Sequence, residues 1–221
     1  MMDYILEQRI IDNKDWATVL FVLCFVLIVV TKTFFEVRFN EFLKLFVTDK
    51  YLKIYKDPSH MMSWFTISLF MVQLISFAFF ILILLNFFGM ASKTDWVKYI
   101  QIITLLGVFV LSKYLIEKIV ATSFKMEDFM EQFNLQKVSY RTFIGLLILP
   151  VNIILYYNNV SSTLIFYGFL LIVLAVNALT YLISLKSYQS LLFSKLFYFI
   201  LYLCALEIAP YYFMYYWFTR R

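Results

Sequence analysis

Six apolar runs, each about twenty residues or longer, divide this chain, and they constrain the fold more than any motif does. They extend over Trp16 to Phe35, Met61 to Phe88, Trp96 to about Val120, Val138 to Tyr157, Val160 to Leu185 and Leu191 to about Trp217. A helix of about 20 residues reaches about 30 Å, the thickness of the hydrocarbon core of a bilayer. None of the runs alternates polar with apolar residues, and an open strand in lipid would leave its backbone groups without partners. The expected fold is therefore all-α: one transmembrane domain over residues 1–221, a polytopic bundle of six helices with amphipathic cytoplasmic connections.

Composition agrees. Hydrophobic residues make up 63% of the chain and charged residues only 15%, against about half and about a quarter in soluble globular chains. That balance excludes a water-soluble domain, a disordered segment and a nucleic-acid binder with a free basic face. The stretch ahead of the first run carries Asp3, Glu7, Asp12 and Asp15 against Arg9 and Lys14, and no Ala-x-Ala site follows that run. A secretory signal needs the opposite charge and such a site, so the first run is read as a retained membrane helix.

The 19 basic residues set the orientation. With six spans, one side holds Arg9, Lys14, Lys93, Lys98, Arg220 and Arg221. The other holds eleven: Lys32, Arg38, Lys44, Lys50, Lys53, Lys56, Lys118, Lys125, Lys137, Arg141 and Lys186. Basic connections remain in the cytoplasm. Both termini are therefore expected in the periplasm of a bacterial inner membrane.

Two long connections have helical patterning. Between the first two runs, Phe39, Phe42, Leu43 and Phe46 share a stripe, and Arg38, Lys44, Lys50, Lys53 and Lys56 supply positive charge. A helix lying against anionic lipid fits this pattern, and so does a helix packed beneath the bundle. Between the third and fourth runs, Met126, Phe129, Met130 and Phe133 form a second stripe with Glu127, Asp128 and Glu131 opposite. It reads either as a face for a protein partner or as packing against the chain's own bundle. The tail residues Tyr211, Tyr212, Tyr215, Tyr216 and Trp217 read as an interfacial aromatic belt.

Ionisable residues inside the runs are the candidates for function, because a charge at that depth costs roughly 2.5 to 3.5 kcal/mol even on insertion scales. Lys113 and Glu117 are one turn apart and read as a structural ion pair. Lys195 lies close enough to its end to reach the interface. Glu207 lies about 24 Å from the cytoplasmic end of the sixth run, too deep for a short side chain to escape. Pro210 follows three residues later and leaves the carbonyl of Leu206 without its helical partner. A carboxylate beside a freed carbonyl suits a proton or cation site. Asn152, with Pro150 nearby, and Gln101 and Thr104 lie at similar depth and would close a polar layer with it. The alternative is a protonated Glu207 that holds the bundle together by hydrogen bonding.

Cofactors are not expected. His60 is the single histidine, and Cys24 and Cys204 sit inside apolar runs as small hydrophobes. No nucleophile triad, phosphate-cradling glycine loop or metal-ligand pair is present. Asn159-Val160-Ser161 matches the glycosylation sequon by chance.

The stretch Leu201-Tyr-Leu-Cys-Ala-Leu-Glu-Ile-Ala-Pro210, preceded by Ser187-Tyr188 and by Arg141-Thr-Phe-Ile-Gly145 with Pro150, resembles an uncharacterised family of integral membrane proteins from Bacteroidota. The resemblance covers nearly the whole chain and carries its signature at Leu206-Glu207-Ile208-Ala209-Pro210. It implies membrane location and helical architecture and no particular chemistry. The expected function is a non-catalytic subunit or assembly factor of a bacterial envelope complex, in contact with the lipid bilayer and a protein partner. A proton- or cation-coupled carrier using Glu207 is the alternative, and an intramembrane enzyme is a second. The absence of an internal repeat speaks against the carrier, and the Glu207-Pro210 pairing speaks for it.

Overall fold

The computed structural model describes residues 14–45, 48, 50–55, 63–123, 127–158 and 163–187. Among these residues every regular element is helical: α1 (Asp15–Phe34), α2 (Glu36–Leu43), α3 (Lys50–Ile54), α4 (Trp64–Phe87), α5 (Trp96–Ser123), α6 (Glu127–Tyr157) and α7 (Thr163–Ser187). Among the described residues four stretches are long and apolar enough to cross a membrane, namely α1, α4, α5 and Met130–Tyr157 of α6. Helix α7 is 25 residues long, and its apolar stretch with described side chains is Phe166–Thr180. The expected sixth run, with Lys195, Cys204, Glu207, Pro210 and the aromatic tail, lies outside the described residues.

Helix α4 is the axis of the bundle, packed against α1, α5 and α6. Its 24 residues contain neither Gly nor Pro, so nothing inside it interrupts the hydrogen-bond ladder. It stops at Gly89, whose φ of 71° is the left-handed conformation open to glycine. There Gly89 N–H donates to the Asn86 carbonyl at 3.0 Å and Met90 N–H to the Leu85 carbonyl at 2.9 Å, the paired bonds of a Schellman cap. Six residues later α5 begins under Asp95, whose Oδ1 accepts the Lys98 N–H at 3.0 Å.

The most extensive helix contact is between α4 and α6. A Cβ built on Gly145 would stand 3.1 Å from the Gln73 backbone, so a larger residue there would push the helices a few tenths of an ångström apart. Lipid is as apolar as the helix surfaces, and close packing therefore replaces the hydrophobic effect as the force between them.

Two elements differ from the sequence reading. The fourth run is not preceded by a separate connecting helix, because α6 runs unbroken from Glu127 to Tyr157. No Gly or Pro stands between Glu127 and Thr142, so the stripe and the span propagate as one helix. The first connection is two short helices in place of one. Tight bonds from Lys44 N–H to Glu41 and from Leu45 N–H to Phe42 close α2. The sequence between it and α3 includes the weak helix formers Val47, Thr48 and Asp49. Phe39, Phe42 and Leu45 are buried with Tyr51, Phe65 and Tyr140, so this connection packs beneath the bundle.

Candidate functional site

Among the described residues, three constellations of buried polar groups lie between helices. The first is a seam along α4 and α6. Thr142 Oγ1 donates to Gln73 Oε1 at 2.8 Å, and Ser76 Oγ donates to the Gly145 carbonyl at 2.7 Å. Asn152 Nδ2 donates to the Ser76 carbonyl at 2.7 Å and to its Oγ at 3.3 Å. Asn152 is fully buried, and its Oδ1 has no hydrogen-bond partner among the described residues. Pro150 lies two residues away inside α6 and withholds a donor from the Leu146 carbonyl. The seam therefore combines cross-helix bonds with acceptors left over at the α6 proline.

The second constellation is a cluster of three buried charges. Glu117 Oε1 lies 3.9 Å from Lys113 Nζ and 3.1 Å from Lys137 Nζ, and all three side chains are at least nine-tenths buried. Lys137 Nζ also sits 4.9 Å from the Phe133 ring centroid, a cation–π contact. The expected Lys113–Glu117 pair is thus part of a triad that ties α5 to α6. Lys137, assigned from sequence to a cytoplasmic connection, is the member that sequence reasoning missed.

In the third, Arg38 of α2 is caged. Its guanidinium donates to Ser63 Oγ at 2.8 Å, to Thr66 Oγ1 at 3.3 Å and to Tyr51 OH at 3.4 Å. The Tyr55 and Phe65 ring centroids lie 4.7 and 4.5 Å from it. Burial pushes the Tyr51 phenol above its ordinary pKa, against the opposing pull of Arg38. Arg38 is buried, so it does not serve as the expected lipid contact; it pins α2 and α3 to the start of α4. Of the other expected lipid contacts, Lys44 is exposed, and Lys50 is exposed while paired with Glu41 at 2.9 Å. The Lys53 side chain and Lys56 lie outside the described residues.

The remaining candidates separate. Gln101 and Thr104 are exposed on α5 and do not close a layer with Asn152. Helical rise places them at a depth; the azimuth, fixed by buried Tyr99 and Ile102 on the same helix, turns them outward. Met130 and Phe133 are buried against the chain itself and present no face to a protein partner. Met126 and the Phe129 side chain lie outside the described residues. Glu207 and Pro210 do as well, and with them the expected contact to Asn152. Among the described residues no three His, Cys, Asp or Glu side chains gather as a metal site, and Cys24 is a buried free thiol. Sequence offered one signal for the seam: Gln73 is the single amide deep within the second apolar run.

The opposite end of the bundle is aromatic. Trp16, Phe21, Phe79, Tyr99 and Tyr156 pack with centroids 4.2 to 6.2 Å apart. Lys93 closes that end by donating to the carbonyls of Leu155 at 2.9 Å and Asn158 at 3.1 Å, which caps the α6 C-terminus.

A family model described as a domain of unknown function (DUF4271) matches residues 17–218, nearly the whole chain. The chain belongs to that family. No curated protein and no solved structure matches it.

Proposed function

We propose that this member of the DUF4271 family is a non-catalytic integral membrane subunit or assembly factor of a bacterial envelope complex. In this reading it sits in the inner membrane with both termini on the periplasmic side. One observation carries it. The buried polar side chains of α4, α5 and α6 bond to one another across helices, the use expected of a scaffold. The orientation rests on the basic residues, which concentrate beside Arg38 and Lys137 at one end of the bundle. The exposed apolar face of α5, with Val108, Leu111 and Leu115, is available to lipid and to neighbouring membrane helices.

Purification from native membranes in mild detergent tests the reading. A chain of fixed identity that co-purifies in constant stoichiometry through two columns supports it. A monomer that by itself drives proton or cation flux in proteoliposomes overturns it.

The carrier reading retains one observation in its favour, the Oδ1 of Asn152, at zero exposure beside the α6 proline and without a partner among the described residues. In that case Glu207 of the sixth run exchanges the ion. Glu207→Gln keeps shape and hydrogen bonding and cannot exchange a proton. Loss of flux with folding intact supports the carrier, and unchanged flux removes it.

A further inference from the structure

Helix α5 is the least buried of the four membrane-capable stretches among the described residues, and its outward face is regularly patterned. Val97, Gln101, Thr104, Val108, Leu111 and Leu115 are all exposed. Their spacings alternate between four and three residues, which makes them the a and d positions of one unbroken heptad strip. Leu115 lies 18 residues after Val97, a rise of about 27 Å, so the strip runs through nearly the whole hydrocarbon core. The side chains that α5 commits to its own bundle, Tyr99, Ile102, Lys113 and Glu117, lie on the opposite side of the helix.

Two observations point to an occupant other than lipid. The first is polarity. Gln101 lies about 7.5 Å beyond Trp96 and Thr104 about 12 Å, inside the hydrocarbon when Trp96 sits at the interface. Acyl chains offer neither donor nor acceptor to an exposed amide, whereas a neighbouring helix does. The second is period. A face that meets only lipid needs to be apolar, and nothing requires it to hold the 3.5-residue repeat of paired helices.

We propose that α5 is the contact helix of a symmetric dimer, with a second copy of this chain as the occupant. Copies inserted in the same orientation run their α5 helices parallel. A two-fold axis along the membrane normal then sets each residue of the strip level with its own counterpart. Such an interface requires side chains that complement themselves. An amide both donates and accepts, and so does a hydroxyl, so Gln101 and Thr104 each match their own copy across the axis. Farther along, Val108, Leu111 and Leu115 interdigitate as knobs into holes. Lys118 takes the next heptad position, is exposed, and would meet its own like charge, so the strip ends at Leu115. The proposal goes beyond the subunit reading and stands whether or not another protein co-purifies.

Cysteine cross-linking of the full chain in native membranes tests it. In a Cys24→Ala/Cys204→Ala background, Val108→Cys, Leu111→Cys and Leu115→Cys probe the strip, and Leu105→Cys and Ile116→Cys probe exposed positions beside it. A lone cysteine joins only its counterpart in another copy, which separates a dimer from coverage of α5 by the chain's own sixth run. Mild oxidation should link the three positions of the strip. Leu105→Cys and Ile116→Cys should stay unlinked, because their counterparts stand beyond disulfide reach. Gln101→Leu, at a position facing away from the packed interior, should weaken association about tenfold, read by energy transfer between labelled copies as they are diluted in vesicles. Equal linking on and beside the strip, no linked dimer at any position, or undiminished association of folded Gln101→Leu overturns the interface.

Discussion

Both ends of the bundle pack aromatic rings, and one of them adds a cluster of buried charges. At one end Trp16, Phe21, Phe79, Tyr99 and Tyr156 interlock as aromatic rings. At the other, Lys113, Glu117, Lys137 and the caged Arg38 hold α5, α6, α2 and α4 through charge. The difference lies in what each can tolerate. Ring packing degrades in proportion to the volume removed, since lipid offers the apolar atoms no worse environment than the core does. A buried charge cluster fails abruptly, because deleting Glu117 takes from Lys113 and Lys137 the carboxylate they share.

The largest effect should come from Glu117→Leu. It leaves Lys113 and Lys137 buried without their shared carboxylate, and a loss of about 3–5 kcal/mol is expected. Thermal unfolding in detergent checks this, and a loss under about 1 kcal/mol would mean the lysines find other partners. Phe79→Ala should cost less, about 2 kcal/mol, because the cavity term acts without the transfer term. A larger loss there than at Glu117 would invert the comparison. Asn152→Leu probes the seam between the two ends. Cross-helix bonds in membranes average about 0.6 kcal/mol, so a loss of about 1 kcal/mol is the ceiling expected, read in the same unfolding assay.

The smallest effect is a pH dependence at the aromatic end. Burial, aided by Lys14, holds the Lys93 pKa below the ordinary lysine value of 10.5. Folding therefore disfavours the protonated form. That penalty is complete below the folded-state pKa and fades as pH rises toward the unfolded value. Relative to Lys93→Met, the native chain should gain stability as pH rises toward about 10.5, and a parallel pair of pH profiles would refute this.

Much of this contrast is legible in the sequence, and the limits have a physical cause. The starts and ends of α1, α4 and α5 fall within three residues of the apolar runs, because length and hydropathy are what a bilayer selects. Asn152 is buried, as a polar residue in the middle of a packed span should be. Gln101 and Thr104 are not, since rise along a helix fixes depth while azimuth depends on which neighbours pack against it. The same missing azimuth hides Lys137. Its partner Glu117 is twenty residues away on another helix, and no local pattern links them. The stripe at the start of α6 reads as a separate connecting helix because its polar face breaks the hydropathy of the span, although no breaker stands between the two. Arg38 reads as a surface charge because the aromatic cage around it is assembled from residues beyond its own helix.

The claim that the buried charges serve cohesion is tested most directly by replacing the triad as a unit. In Lys113→Met/Glu117→Leu/Lys137→Met no charge of the cluster remains to be compensated, and volume is roughly conserved. Its unfolding temperature in detergent should return to that of the native chain, far above that of Glu117→Leu alone. A triple variant as unstable as the single one would contradict the account.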